Sequence, residues 1–234
     1  MPIQTFTLPQ RILHILLMKS EFLDDYGLLS GRMGIILAVT AYNRNAGAEV
    51  YEDFADDLFD TIPGKLHTDF PVGFEKGLCG IGWGIEYLIR HGFVEGDGVE
   101  VCEALDRKIM EKDPRRMGDL SLETGLEGLL NYVLAHLYGA VRQQSALPFD
   151  REYLDNLFSA VEKAGTQPAS PSLRMLFHSY RRFMAGESGW TYPMSLKPFL
   201  APVEIDEKRL FDYPLGIKDG LAGLLLNLQI DRLP

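Results

Sequence analysis

Four acids and one thiol stand where this chain could do chemistry. Glu75 and Glu123 each lie two residues before a glycine that opens a helical pattern, Asp219 lies one residue before, and Glu127 two after. A pair of carboxylates at one mouth is what general acid and base chemistry on a sugar needs. Acids also collect at helix starts because the helix dipole favours negative charge there. Cys79, two residues past Gly77, belongs to a first helical turn, where a thiol pKa can fall. Its alternative reading is a small buried cysteine. Arg32 is the cation inside these openings, placed to hold a peptide carboxylate or to pair with Asp24 or Asp25. Lys76, Trp83, Lys218 and the acids complete the candidate binding set. Trp83, Tyr87, Tyr132 and Trp190 read either as core or as the lining of a cavity.

The elements that must position these residues are announced by glycine. Gly31-Arg32-Met33-Gly34, Gly77-Leu78-Cys79-Gly80, Gly125-Leu126-Glu127-Gly128 and Gly220-Leu221-Ala222-Gly223 are copies of one GxxG opening. Their first glycines are 46, 48 and 95 residues apart, and the wide gap predicts a degenerate copy at Ser172-Leu173-Arg174-Met175. Glycine inside a helix costs about 1 kcal/mol relative to alanine, so its recurrence needs a cause. Residues three apart share one face, so each GxxG is a notch without side chains. The notch lets backbones approach, and it exposes the N–H groups of a helix start to an occupant of the mouth. No strand precedes these glycines and no GK[ST] follows them, which excludes Rossmann and P-loop readings.

Between the copies run amphipathic segments, Gln10–Ser20, Glu49–Thr61, Glu100–Lys112 and Arg151–Ala164, with a poorer fifth within Pro202–Phe211. Val50, Phe54, Leu58 and Ile62 fall on one side of the second segment, with acids on the other. The expectation is all-α: about five hairpins, each an acidic outer helix followed by a hydrophobic inner one. Such hairpins bury their apolar faces only by stacking. Strands remain open in Phe177–Pro193, and a turn is expected at Asn43–Gly47.

Composition bounds the function. The 46% hydrophobic share argues against disorder, and a net charge of −10 without a basic run disfavours nucleic acid and anionic membranes. The cysteines, Cys79 and Cys102, are too few for a disulfide framework. Ile12–Met18 lacks the flanks of a signal peptide, so a cytoplasmic protein of one domain over residues 1–234 is expected.

GLLSGRMGIILAV, GLCGIGWGIEYLI and DGLAGLLLNL together resemble the lanthionine synthetase C-like family, the first being similar to its GLSHGxAGI repeat. The resemblance implies an α/α toroid with inner and outer helix rings, here shortened, either closed or open. It also implies thioether chemistry at a zinc held by two Cys and one His, a Cys-His pair directly preceding a notch glycine. Here those places hold Leu29-Ser30, Glu75-Lys76, Glu123-Thr124 and Lys218-Asp219. His136 and His178 lie at different depths, and His14, His67 and His91 in outer or loop segments. No metal or cofactor is therefore expected. The resulting expectation is a non-catalytic relative that binds a peptide, or assists its maturation beside a modifying enzyme, at the face where the inner helices start. A homodimer would cover the flank of an incomplete ring. The alternatives are a cyclase with an unconventional site at Cys79 and a carbohydrate-active enzyme using Glu75, Glu123 or Asp219.

Overall fold

The computed structural model describes residues 6–47, 51–62, 70–165, 169–202 and 205–233, and its regular elements are all helices. Its α-helices are α1 (Leu8–Ser20), α2 (Arg32–Ala46), α3 (Glu52–Asp60), α4 (Leu78–Arg90), α5 (Gly98–Met110), α6 (Leu126–Gln143), α7 (Arg151–Ala164), α8 (Pro171–Met184) and α9 (Leu221–Asn227). No strand forms among the described residues. The first half of Phe177–Pro193 completes α8, and the remainder is irregular. The expected turn at Asn43–Gly47 is instead the last turn of α2, closed by Gly47 in the left-handed region at φ 60°. The fifth outer segment forms no α-helix, only a 3-10 turn at Leu210–Asp212, and Val203 and Glu204 lie outside the described residues. Val50 does too.

Burial separates two kinds of helix. Every residue of α4 from Leu78 to Leu88 is buried, and α6 is buried from Leu126 to Leu137 except at Glu127. By contrast α5 buries only Gly98, Cys102, Leu105, Asp106 and Ile109, one face in a helical period. Three of the amphipathic helices, α5, α7 and α8, start on side chains. Asp97 accepts from Val99 N, Asp150 from Tyr153 N, and Ser170 from Leu173 N ahead of α8. Such caps satisfy amides that a helix start leaves without partners. The buried helices α2, α4, α6 and α9 start on Gly31, Gly77, Gly125 and Gly220, none with a side-chain cap.

The chain divides into two compact units, residues 1–67 with 195–234, and residues 68–194. In the first unit α2 packs against α9, α3 and α1, and α9 also against α1. In the second, α4 and α6 form the most extensive pair, α5 lies against both, α8 packs on α6, and α7 on α8. No helix among the described residues is long and apolar enough to cross a membrane.

Candidate functional site

Each glycine start is a closed backbone device. Arg32 N donates to Asp25 O (2.8 Å), Leu78 N to Pro71 O (2.9 Å), Leu126 N to Asp119 O (3.0 Å) and Leu221 N to Pro214 O (2.9 Å), always seven residues back. A second bond of the same kind joins Cys79 N to Val72 O (3.1 Å) and Ala222 N to Leu215 O (3.0 Å). The loop thus folds back over its own helix start and takes the amides that the sequence left open to a ligand. The first glycine is required because a Cβ at Gly77 would fall on Pro71 O and on Gly73. The second is required for the same reason at Gly34, Gly128 and Gly223, where a Cβ would fall on Leu28 O, Leu122 O and Ile217 O. The notches therefore chiefly admit the chain's own loop; only some also touch a neighbouring repeat, as Gly34 touches Ile217. The fifth copy differs: α8 starts on Ser170 and Pro171 with a side-chain cap.

The loops also join in pairs. In the second unit Phe74 N and Glu75 N donate to Glu123 O (2.8 and 3.0 Å), and in the first Lys218 N donates to Leu29 O (2.8 Å). Glu75 and Glu123, expected at one mouth, are thus brought together through their backbones.

A cavity of about 830 Å³ opens beside these loops in the second unit. Val72, Leu78, Ile109 and Leu129 give it apolar walls, and Lys108, Glu111, Lys112, Asp113 and Arg116, from the end of α5 and the turn after it, a charged rim. Part of the rim is self-paired, Lys108 with Glu111 (2.9 Å) and Asp113 with Arg115 (2.9 Å). Cys79 and Tyr153 also line the cavity. Tyr153 is only 5% exposed and its hydroxyl has no hydrogen-bond partner among the described residues. Burial pushes the phenol of Tyr153 and the thiol of Cys79 well above their ordinary values, the reverse of the lowering expected at a helix start. Cys79 is a neutral wall group.

Deeper in the same unit lies a charged cluster that sequence reasoning missed. His136 Nδ1 is 2.6 Å from Glu86 Oε1 and its Nε2 2.8 Å from Asp106 Oδ2, while Tyr132 Oη donates to Asp106 Oδ1 at 2.6 Å. Glu86 and Asp106 are each 3% exposed and His136 is fully buried. Burial opposes the imidazolium charge, but the hydrogen bonds to Asp106 and Glu86 outweigh it and lift the pKa to about 9. A protonated histidine thus ties α4, α5 and α6 together. Gly139 and Gly98 make room, since a Cβ at either would meet the Glu86 carboxylate. The available signals were an acid inside the apolar run Ile81–Ile89 and another on the Cys102, Leu105, Ile109 stripe.

The other candidates are dispersed. Arg32 is 7% exposed. Its guanidinium donates to Leu23 O (2.8 Å), Glu21 O (3.1 Å) and Thr61 Oγ1 (3.1 Å), tying α1 and α3 to α2. Trp83 is fully buried and donates to Tyr192 Oη (3.0 Å), which donates to Asn131 Oδ1 (2.8 Å), so it is core rather than cavity wall. Glu127 accepts from Ser170 (2.9 Å) and from Ser172, anchoring the start of α8. Lys76 is exposed in the second unit, while Lys218 and Asp219 are exposed in the first, Asp219 in the left-handed region at φ 53°. Cys102 is buried, His14 packs on Phe6, His91 Nε2 meets Met194 O (3.1 Å), His178 is exposed, and His67 lies outside the described residues.

Among the described residues no three His, Cys, Asp or Glu side chains are grouped to hold a metal ion. No family model matches the chain, and no curated protein or solved structure is significantly similar to it.

Proposed function

We propose that this chain is a divergent lanthionine synthetase C-like protein that binds a peptide at the face where its buried helices start, without catalysing a reaction on it. The carrying observation is the 830 Å³ cavity between the starts of α4 and α6, into whose wall Tyr153 brings a buried hydroxyl without a partner. Its volume lies within the range of about 300–1,000 Å³ typical of ligand pockets. Apolar walls take a hydrophobic side chain, and the mixed rim of Lys112, Arg116 and Glu111 meets the polar backbone and charges around it. A toroidal arrangement is supported by the loop bonds. Lys218 N to Leu29 O links the last glycine repeat to the first in the register by which Glu75 N to Glu123 O links two consecutive ones.

The test is a peptide array probed with labelled protein, followed by titration of the best peptide. Saturable binding that Lys112→Glu combined with Arg116→Glu weakens at least tenfold is expected. Equal binding by wild type and double variant would place the peptide elsewhere and end this reading. Both side chains are exposed, so the variant leaves the core untouched.

A further inference from the structure

The opposite ends of α4 and α6 frame a second cavity, of about 220 Å³. Arg90 and Arg142, each in the last turn of its helix, converge on it, and Glu86 is the acid on its wall. The guanidinium of Arg90 lies 4.4 Å from the ring centroid of Tyr138, and its Nη1 is buried without a hydrogen-bond partner. Glu86 does not serve that nitrogen: its Oε1 meets His136 Nδ1 at 2.6 Å, and no hydrogen bond joins it to Arg90 Nη1. Arginine in a last turn is favoured by the helix dipole alone. Hydrogen bonds from Arg90 and Arg142 hold the Tyr138 phenol below its usual pKa and account for the convergence of the two arginines. Neither they nor the dipole explain why a buried guanidinium nitrogen is left unsatisfied. Such an atom carries a desolvation cost that an acceptor would remove.

The charges nearby favour an anion. Of the charged side chains lining the cavity, Arg90 and Arg142 outnumber Glu86, leaving one net positive charge on its wall. Gly139 keeps the floor open over Glu86, where a Cβ would crowd the carboxylate. At about 30 Å³ per water, the space holds roughly seven waters, enough for a small ligand and too little for a peptide segment.

We propose that this cavity binds a small oxyanion, its charged group held between Arg90 and Arg142 and a hydroxyl or ammonium group turned toward Glu86. The guanidinium fork suits phosphate and carboxylate alike, so the two sources are separated by experiment. The full chain is titrated calorimetrically with inorganic phosphate and, separately, with succinate at constant ionic strength. Saturable binding of either is expected, phosphate alone identifying a phosphoryl ligand and succinate alone a carboxylate. Arg142→Gln, an exposed position, should weaken that binding at least tenfold, and Arg90→Lys should weaken it less. Lys112→Glu, at the other cavity, should leave it unchanged. No saturable binding of either anion, or equal binding by wild type and Arg142→Gln, would overturn the proposal while leaving the peptide reading intact.

Discussion

At their starts, α4 and α6 satisfy polar groups with backbone: Leu78 N reaches Pro71 O at 2.9 Å and Leu126 N reaches Asp119 O at 3.0 Å. Further along the same two helices the solution is charge, with Glu86 on α4 and His136 on α6 meeting at 2.6 Å and Asp106 of α5 completing the cluster. Glycines serve both regions, but for opposite reasons. At the starts they admit a loop carbonyl; at Gly139 and Gly98 they admit a carboxylate. The difference teaches that small residues in this chain report close approach, and that the approaching group must be identified before a notch is read as a ligand site. Here the starts are occupied by the chain itself, and the room for a ligand lies beside them.

Breaking the charged region should cost most. His136→Ala leaves two buried carboxylates without their cation, and removing one partner of a buried pair typically costs about 3–5 kcal/mol. Denaturant unfolding of the variant should show that loss in its midpoint. The same cluster sets a pH dependence. The folded pKa of His136, about 9, lies above its ordinary 6.5, so its contribution is complete below about pH 6.5 and is lost as pH rises through about 9. A loss on the order of 3 kcal/mol follows from about 1.36 kcal/mol per pKa unit. Unfolding measured from pH 6 to 10 should show it in wild type and not in His136→Ala.

The backbone region should yield less. Gly77→Ala forces a Cβ onto Pro71 O, and overpacking of this kind costs about 1–3 kcal/mol. An amphipathic helix offers the contrast: Asp150→Ala removes only the cap bond to Tyr153 N (2.7 Å), worth about 1 kcal/mol. If the two variants lost equal stability, the distinction between loop-locked and side-chain-capped starts would fail. Thermal unfolding of both checks it.

These contrasts also mark what was legible in the sequence. Apolar spacing located the helices closely, Arg151–Ala164 to the residue, because burial of one face imposes a 3.6-residue period. The glycines were legible as close approaches. What approaches them was not, since a bond reaching seven residues back leaves no periodic trace. A trace existed in composition: Gly27, Gly73 and Gly216 each stand four residues before a notch glycine, with Ser121 in that place in the third copy. At Gly73 and Gly216 a Cβ would meet Glu123 O and Leu29 O of the paired loop. Arg32 and Trp83 stayed between two readings because polar groups on buried helices look available until their partners, distant in sequence, are known. Glu86 and Asp106 were passed over because an acid's burial depends on a histidine 50 and 30 residues away.

Tyr153→Phe tests the binding reading most directly. The substitution removes a hydroxyl that is buried without a partner, so stability should be unchanged or slightly raised. Affinity for the array-selected peptide should fall about two- to tenfold, the worth of one hydrogen bond of about 0.5–1.5 kcal/mol. Unchanged affinity would contradict a ligand in this cavity, and reduced stability would mean that the hydroxyl is satisfied within the fold and does not await a ligand.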